Sequence, residues 1–280
     1  MKRAIVVVLT MLFAGFIQAA NAATPLVDVA WVKANLNAPG IVLLDIREAG
    51  VDEYAKGHIP GAIYTDYTKG WRVTDKNGTP GMLPEPDALE KLIGGLGIGN
   101  ATHVVIIPDG TSAREVGRAT RIYWTFKVAG DDNVSILDGG MAAWTADKQN
   151  PLATGAVQPK TARFKVTLRP EILATKDEVK TALNKGTPLI DNRPPDMYVG
   201  VNRTRDVLKN GTIPGAKSVP ESWLTENNGG KFRDGDTLKR LYAAAGVSDR
   251  GEQITFCNTG HWASLGWFVS HELIGNKDAV

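Results

Sequence analysis

The chain repeats itself, and that limits its folds more than any other feature. Leu43-Leu44-Asp45-Ile46-Arg47 returns as Leu189-Ile190-Asp191-Asn192-Arg193, at an offset of 146 residues. Ile59-Pro60-Gly61-Ala62 returns as Ile213-Pro214-Gly215-Ala216, at an offset of 154. Asp87-x-Leu89-x-x-Leu92 with Gly97 returns as Asp236-x-Leu238-x-x-Leu241 with Gly246, at an offset of 149. Offsets this close mean two copies of one plan, separated by small insertions. Each copy alternates apolar runs with amphipathic stretches, which predicts two α/β domains, each a parallel sheet flanked by helices. A polar, proline-marked stretch from Asn150-Pro151 to Gln158-Pro159-Lys160 separates them. The expected division is 24–150 for the first domain, 151–163 for the linker and 164–280 for the second.

Residues 1–22 stand outside this plan. Lys2 and Arg3 precede an apolar run from Ala4 to Ile17, and Ala20-Asn21-Ala22 forms a small-x-small cleavage site. This is the pattern of a secretory signal peptide cut after Ala22, in a run short for spanning a bilayer. A periplasmic or secreted protein is expected, with no membrane attachment after cleavage. The 32 basic residues exceed the 30 acidic ones only by the two charges in that segment. The mature chain is therefore balanced and offers no basic arm for nucleic acid.

The protein has one cysteine, Cys257, so an exported chain of this sequence forms no internal disulfide. Free cysteines are often buried core residues, but the context of this one is unusual. The apolar run Ile254-Thr255-Phe256 delivers it into the short polar stretch Asn258-Thr259-Gly260-His261-Trp262. A helical pattern follows from Ala263, with Leu265, Phe268, Val269, Leu273 and Ile274 at 3–4 spacing and a stop at Gly275-Asn276. Strand, loop and helix in this order aim backbone N–H groups at an anion. A thiol placed there is expected to ionise below the free value of about 8.5.

This loop resembles the active-site loop of the rhodanese-type sulfurtransferases. Tyr54-Ala55-Lys56-Gly57-His58-Ile59-Pro60-Gly61-Ala62-Ile63 resembles the family's N-terminal signature, and Leu137-Asp138-Gly139-Gly140-Met141-Ala142-Ala143-Trp144 a second one. Both are expected to be structural, His58 included, since its counterpart in the half with the thiol is Thr212. Cysteine-dependent phosphatases share the architecture but place an arginine six residues after the cysteine, where this chain has Ala263. The offset of 149 maps Cys257 onto Pro108, so the first half lacks a nucleophile. This arrangement is similar to tandem-domain rhodaneses, the thiosulfate sulfurtransferases, in an exported bacterial type. One departure stands out: the second half ends at Val280, before any counterpart of Val134 to Trp144. The second domain is thus expected to be incomplete, its closing strand lost by truncation or supplied by a partner, with an unpaired edge on the cysteine strand.

The resemblance implies a thiolate at Cys257 that takes sulfur from thiosulfate or a related donor and passes it to cyanide or a thiol. It implies no metal and no cofactor. The loop amides of Asn258, Thr259, Gly260, His261 and Trp262 would hold the persulfide's charge, with Gly260 permitting the turn and Thr259 offering a hydroxyl. His261 is expected to supply partial charge or a proton, or else to shape the mouth of the site, and Trp262 to wall the pocket. Arg193 is expected either to bind the anionic donor or to pair with Asp191, as Arg47 would with Asp45. Arg203 and Arg205 are read as solvated surface. A loop unlike Cys-Gly-x-Gly favours thiosulfate over mercaptopyruvate. The other readings are a sulfur relay or binding module with little turnover on small donors, and an interaction protein that forms no persulfide.

Overall fold

The computed structural model describes residues 23–205 and 207–280, so the expected signal peptide lies outside the described residues. In the first repeat the strands are β1 (Leu26–Val27), β2 (Ile41–Asp45), β3 (Ile63–Tyr64), β4 (His103–Ile107) and β5 (Val134–Leu137). The helices are α1 (Val29–Ala34), α2 (Val51–Lys56), α3 (Pro86–Gly95), α4 (Ala113–Val128) and α5 (Gly140–Ala146). The strands pair in the order β1-β5-β4-β2-β3, all parallel. Parallel sheets need both faces covered. The central runs Ile41–Asp45, His103–Ile107 and Val134–Leu137 are accordingly apolar along most of their length.

The second repeat contains α6 (Lys176–Lys185), β6 (Leu189–Asp191), α7 (Pro195–Tyr198) and β7 (Lys217–Ser218). It continues with α8 (Gly235–Ala244), β8 (Ile254–Phe256) and α9 (His261–Trp267), whose axis runs on as a wider π-type helix over Phe268–Ile274. A capping box starts α6, with the Thr175 side chain on the Glu178 N–H and the Glu178 side chain on the Thr175 N–H. Among the described residues this sheet has three parallel strands, β7-β6-β8.

Register proves the equivalence of the copies. Asp45 of β2 stands opposite Ile107, and Asp191 of β6 stands opposite Phe256. The next residues, Pro108 and Cys257, therefore leave their sheets at the same point. The free edge expected beside β8 is covered only in part. Thr255 N–H donates to the Val280 carbonyl (2.7 Å), and Val280 N–H donates to that of Gln253 (2.9 Å). The residues of β8 stay half-buried, whereas four of the five in β4 are buried.

The connection between the copies is longer than 151–163 and is packed. Ala162 N–H donates to the Gly94 carbonyl (2.9 Å), Thr167 N–H to that of Ala129 (2.9 Å) and Arg169 N–H to that of Val128 (2.9 Å). Phe164 is buried against Phe126, ring centroids 6.1 Å apart and planes at 84°. The segment also pairs with α2, where Gly155 N–H donates to the Ala55 carbonyl (2.8 Å), so it is held by the first domain at several points before α6 begins.

One core serves both copies. Trp71, Ile122, Tyr123 and Phe126 from the first pack in the same cluster as Phe232, Leu238, Trp267 and Phe268 from the second. Tyr123 meets Phe268 edge-on at 4.8 Å. A smaller cluster, with Leu43, Ile107, Leu137 and Trp144, fills the other face of the first sheet. Helix α4 explains the continuity: 14 of its 16 residues are buried, charged ones included, because it lies between its own sheet and α9. No described helix is long and apolar enough to cross a membrane. Phe164→Ala should lower the unfolding free energy by about 3–5 kcal/mol, the usual cost of emptying a buried phenylalanine site. Urea denaturation checks this, and a change under about 1 kcal/mol would show that the crossing segment does not anchor the domains.

Candidate active site

Strand β8 ends at Phe256 and sets Cys257, a free and half-buried thiol, at its C-terminal end. Ligands of open parallel sheets gather at such strand ends. Helix α9 starts at His261, two residues earlier than its periodicity predicts, because Gly260 takes a left-handed conformation (φ 76°) and turns the chain into the helix. The loop proper is thus Cys257 to Gly260, and His261 and Trp262 form the first helical turn. Among the described residues, the backbone N–H groups of 258–263 have no acceptor. These donors, at a helix N-terminus beside a thiol, suit a negative charge on sulfur.

The first domain encloses the loop. His261 Nε2 lies 2.9 Å from the Arg114 carbonyl and therefore donates to it. That leaves Nδ1 to accept the Tyr67 hydroxyl at 3.1 Å. Burial, followed by the neighbouring Arg118, Arg72 and Arg114 charges, pushes the His261 pKa down to about 4. The expected proton or partial charge from His261 is therefore not what this arrangement provides: the ring is neutral and both nitrogens are engaged. Gly117 makes the approach possible, since a Cβ there would lie 2.8 Å from His261 Nε2. Thr120 Oγ1 and Ser264 Oγ meet at 3.1 Å one turn further along.

Arg193 is bound as Arg47 is. Its Nε lies 2.9 Å and its NH2 2.6 Å from the Asp191 carboxylate, and NH2 also donates to the Gly211 carbonyl (2.9 Å). Arg47 repeats this with Asp45 and the Gly57 carbonyl (2.8 Å). Of the two expectations for Arg193, the pair with Asp191 accounts for its geometry. Only NH1 faces the loop, donating to Asn258 Oδ1 at 3.4 Å, while Asn258 Nδ2 reaches Met197 Sδ at 3.5 Å. Thr212, the counterpart of His58, donates to Asp191 Oδ2 (2.6 Å). His58 itself is buried, stacked on Tyr54 at 4.2 Å, with Nδ1 3.0 Å from the Tyr54 carbonyl. Arg203 is exposed and donates to the Val207 carbonyl.

Asn258, Thr259, His261 and Trp262 line a cleft of about 610 Å³ whose opposite wall is Tyr67, Arg72, Arg114 and Arg118. Arg118 is paired with Glu48 at 2.5 Å, and Arg114 lies 3.7 Å from the same carboxylate. Arg72 stands over the Tyr67 ring at 5.7 Å without a carboxylate partner among the described residues. The cleft therefore keeps excess positive charge. These arginines went unnoticed in the sequence, although Arg114, Gly117, Arg118 and Arg121 follow the 3–4 spacing of one helix face. In the first copy the equivalent loop is filled instead. Met141 N–H donates to the Pro108 carbonyl (2.8 Å) and Ala142 N–H to that of Asp109 (3.0 Å).

The His261 environment gives a pH dependence. As pH falls below about 6.5 the unfolded chain takes up a proton at this histidine, and the folded protein resists until about 4. His261 therefore costs stability as pH drops from 6.5 towards 4. In His261→Gln, the loss of stability between pH 7 and pH 5 should be smaller than in the unsubstituted protein, as read by urea midpoints. An identical loss in both would mean that the ring titrates freely.

Family comparison agrees with this geometry. The rhodanese-like domain model matches twice, over residues 28–147 and 175–279. A Mycobacterium bovis protein with the provisional name thiosulfate sulfurtransferase 1 is 33% identical over 260 residues, covering 90% of each chain. A Haloferax volcanii protein with the provisional name thiosulfate sulfurtransferase is 30% identical over 91% of this chain and 89% of its own. Among solved structures, the 3-mercaptopyruvate sulfotransferase SseA of Escherichia coli superposes with a TM-score of 0.79 at 27% identity, covering 92% of this chain and 97% of that one. A sulfur transferase subunit of yeast mitochondrial complex I gives 0.74 at 26% identity, covering 90% of both. The chain belongs to the rhodanese-like domain family and carries that domain twice, with the thiol in the second copy.

Proposed function

We propose that the protein is a sulfurtransferase that carries a sulfane sulfur from thiosulfate, or a related donor, through a Cys257 persulfide to cyanide or a thiol. The observation behind this reading is the placement of Cys257: the lone thiol of the chain, at a strand end, among loop N–H groups with no acceptor. The thiosulfate preference follows the names of the relatives and the loop sequence. The residues 1–22 pattern supports export of the mature chain.

In the first half-reaction the Cys257 thiolate attacks the outer sulfur of thiosulfate. The S–S bond of the donor breaks, sulfite leaves with the electron pair, and the outer sulfur stays on the enzyme as a persulfide. The amides of 258–263, which have no acceptor of their own, are available to the charge on that sulfur. In the second half-reaction an acceptor nucleophile attacks the outer sulfur and Cys257 leaves as thiolate. Cyanide gives thiocyanate, and a thiolate gives a new persulfide. The cleft walled by Arg72, Arg114 and Arg118 adjoins the cysteine loop at Asn258 and Thr259, and its positive field attracts a dianionic donor towards that loop.

Cys257→Ser should abolish thiocyanate production while leaving the unfolding transition nearly unchanged, since the thiol is half-buried and fills no core site. Intact mass spectrometry should show the unsubstituted protein heavier by one sulfur after thiosulfate, and the variant unchanged. Retained turnover in Cys257→Ser would remove the nucleophile from this position. Sulfur loading without turnover on cyanide or small thiols would make the protein a relay between partners.

A further inference from the structure

Arg121 is a buried guanidinium with no acid to match it. It sits in α4, 5% exposed, and its Nε has no hydrogen-bond partner. NH2 donates to the Gly81 carbonyl (2.8 Å) and NH1 to the Thr259 carbonyl (3.3 Å), inside the cysteine loop. The guanidinium carbon stands 4.8 Å from the Trp124 ring centroid. Gly260 lies so close that a Cβ there would come within 2.1 Å of NH1. Among the described residues no carboxylate pairs with it.

Such a group needs an explanation, because buried charges are paired in folded proteins and an unpaired one costs several kcal/mol. Two carbonyls and an aromatic face solvate part of the charge but cancel none of it. Burial lowers the arginine's pKa, and the nearby groups that oppose this are Tyr67 and Cys257. Tyr67 carries no charge at neutral pH, since burial raises its pKa above the ordinary phenol value. Arg121 and Cys257 also border one cavity of about 230 Å³, with Gly260 and Ser264 between them in its wall.

We propose that Arg121, contributed by the domain without a nucleophile, is a positioning residue that fastens the Cys257 loop and supplies the buried positive charge opposite the Cys257 thiolate and persulfide. This rests on Cys257 being the nucleophile. The loop charge is then neutralised from across the domain boundary, where Arg193, on the same side as the thiol, is already committed to Asp191. The tie to the Thr259 carbonyl also holds the loop itself, so charge and anchoring come from one side chain.

The test reads the thiol directly, without sulfur transfer. The rate of Cys257 alkylation by iodoacetamide is followed against pH in the unsubstituted protein, Arg121→Lys and Arg121→Met, with the unfolding transition of each. Arg121→Met should move the midpoint of the profile upward, the direction expected when a positive charge near a thiolate is removed. Arg121→Lys, which keeps the charge and loses the fork to two carbonyls, should restore most of the midpoint while kcat stays reduced. A folded Arg121→Met with an unchanged midpoint overturns the proposal and leaves Arg121 as a structural tie. If Arg121→Met does not fold, the unsubstituted protein decides at high salt, where surface charges are screened. There iodoacetate should gain on iodoacetamide relative to a free cysteine peptide, and no gain overturns the proposal. Failure of the sulfurtransferase reading would appear separately, as an unsubstituted protein that gains no sulfur from thiosulfate and makes no thiocyanate.

Discussion

At the crossing of α4 and α9 the Thr120 and Ser264 hydroxyls lie 3.1 Å apart, and every feature of the thiol's surroundings depends on that approach. The two helices are the same element of the repeat, each following the strand that leads into Pro108 or Cys257. Their packing brings the Arg114 carbonyl onto His261, Gly117 under the imidazole and Arg121 onto Thr259. Small residues permit it: a side chain at Gly117 would push His261 away, and one at Gly260 would strike Arg121. The cysteine loop is thus shaped as much by the other domain as by its own sheet.

Duplication has divided the labour between the copies. In the second, strand end and helix N-terminus are left open around Cys257. In the first, the same place is closed by α5, with Gly140 so near that a Cβ would lie 2.3 Å from the Pro108 carbonyl. Gly230 of the second domain closes it from outside, against Gly110. The Asp138-Gly139-Gly140 signature is therefore a packing device, and Asp138 completes it by accepting the Phe232 N–H at 2.9 Å. The first copy packs against the cysteine loop through α4 and lends it the carbonyl of Arg114 and the guanidinium of Arg121.

The repeat made the architecture legible in the sequence, and register confirms the pairing of Pro108 with Cys257. The loop was legible for the same reason, since strand, thiol and helix are consecutive in the chain. Arg193 could not be resolved from sequence, because an arginine two residues after an aspartate fits a pair and an anion site equally. The structure separates them through the Gly211 carbonyl, which turns the guanidinium onto Asp191. His261 misled because its partners, Tyr67 and Arg114, lie 194 and 147 residues away. Arg121 was invisible on the same grounds: nothing local marks a charge whose meaning is set by a helix from the other copy. The linker was read too short because a polar, proline-marked composition does not show that Phe164 is anchored in a pocket of the first domain.

The apolar cluster that runs from Trp71 through Tyr123 to Phe268 has a thermodynamic meaning. Cooperative units are defined by shared burial rather than by sequence repeats. Opening either copy would expose the face of α4 or of α9 that the other keeps dry. The melting of one copy therefore removes the solvent protection of the other. The two rhodanese-like domains are thus expected to unfold in one transition.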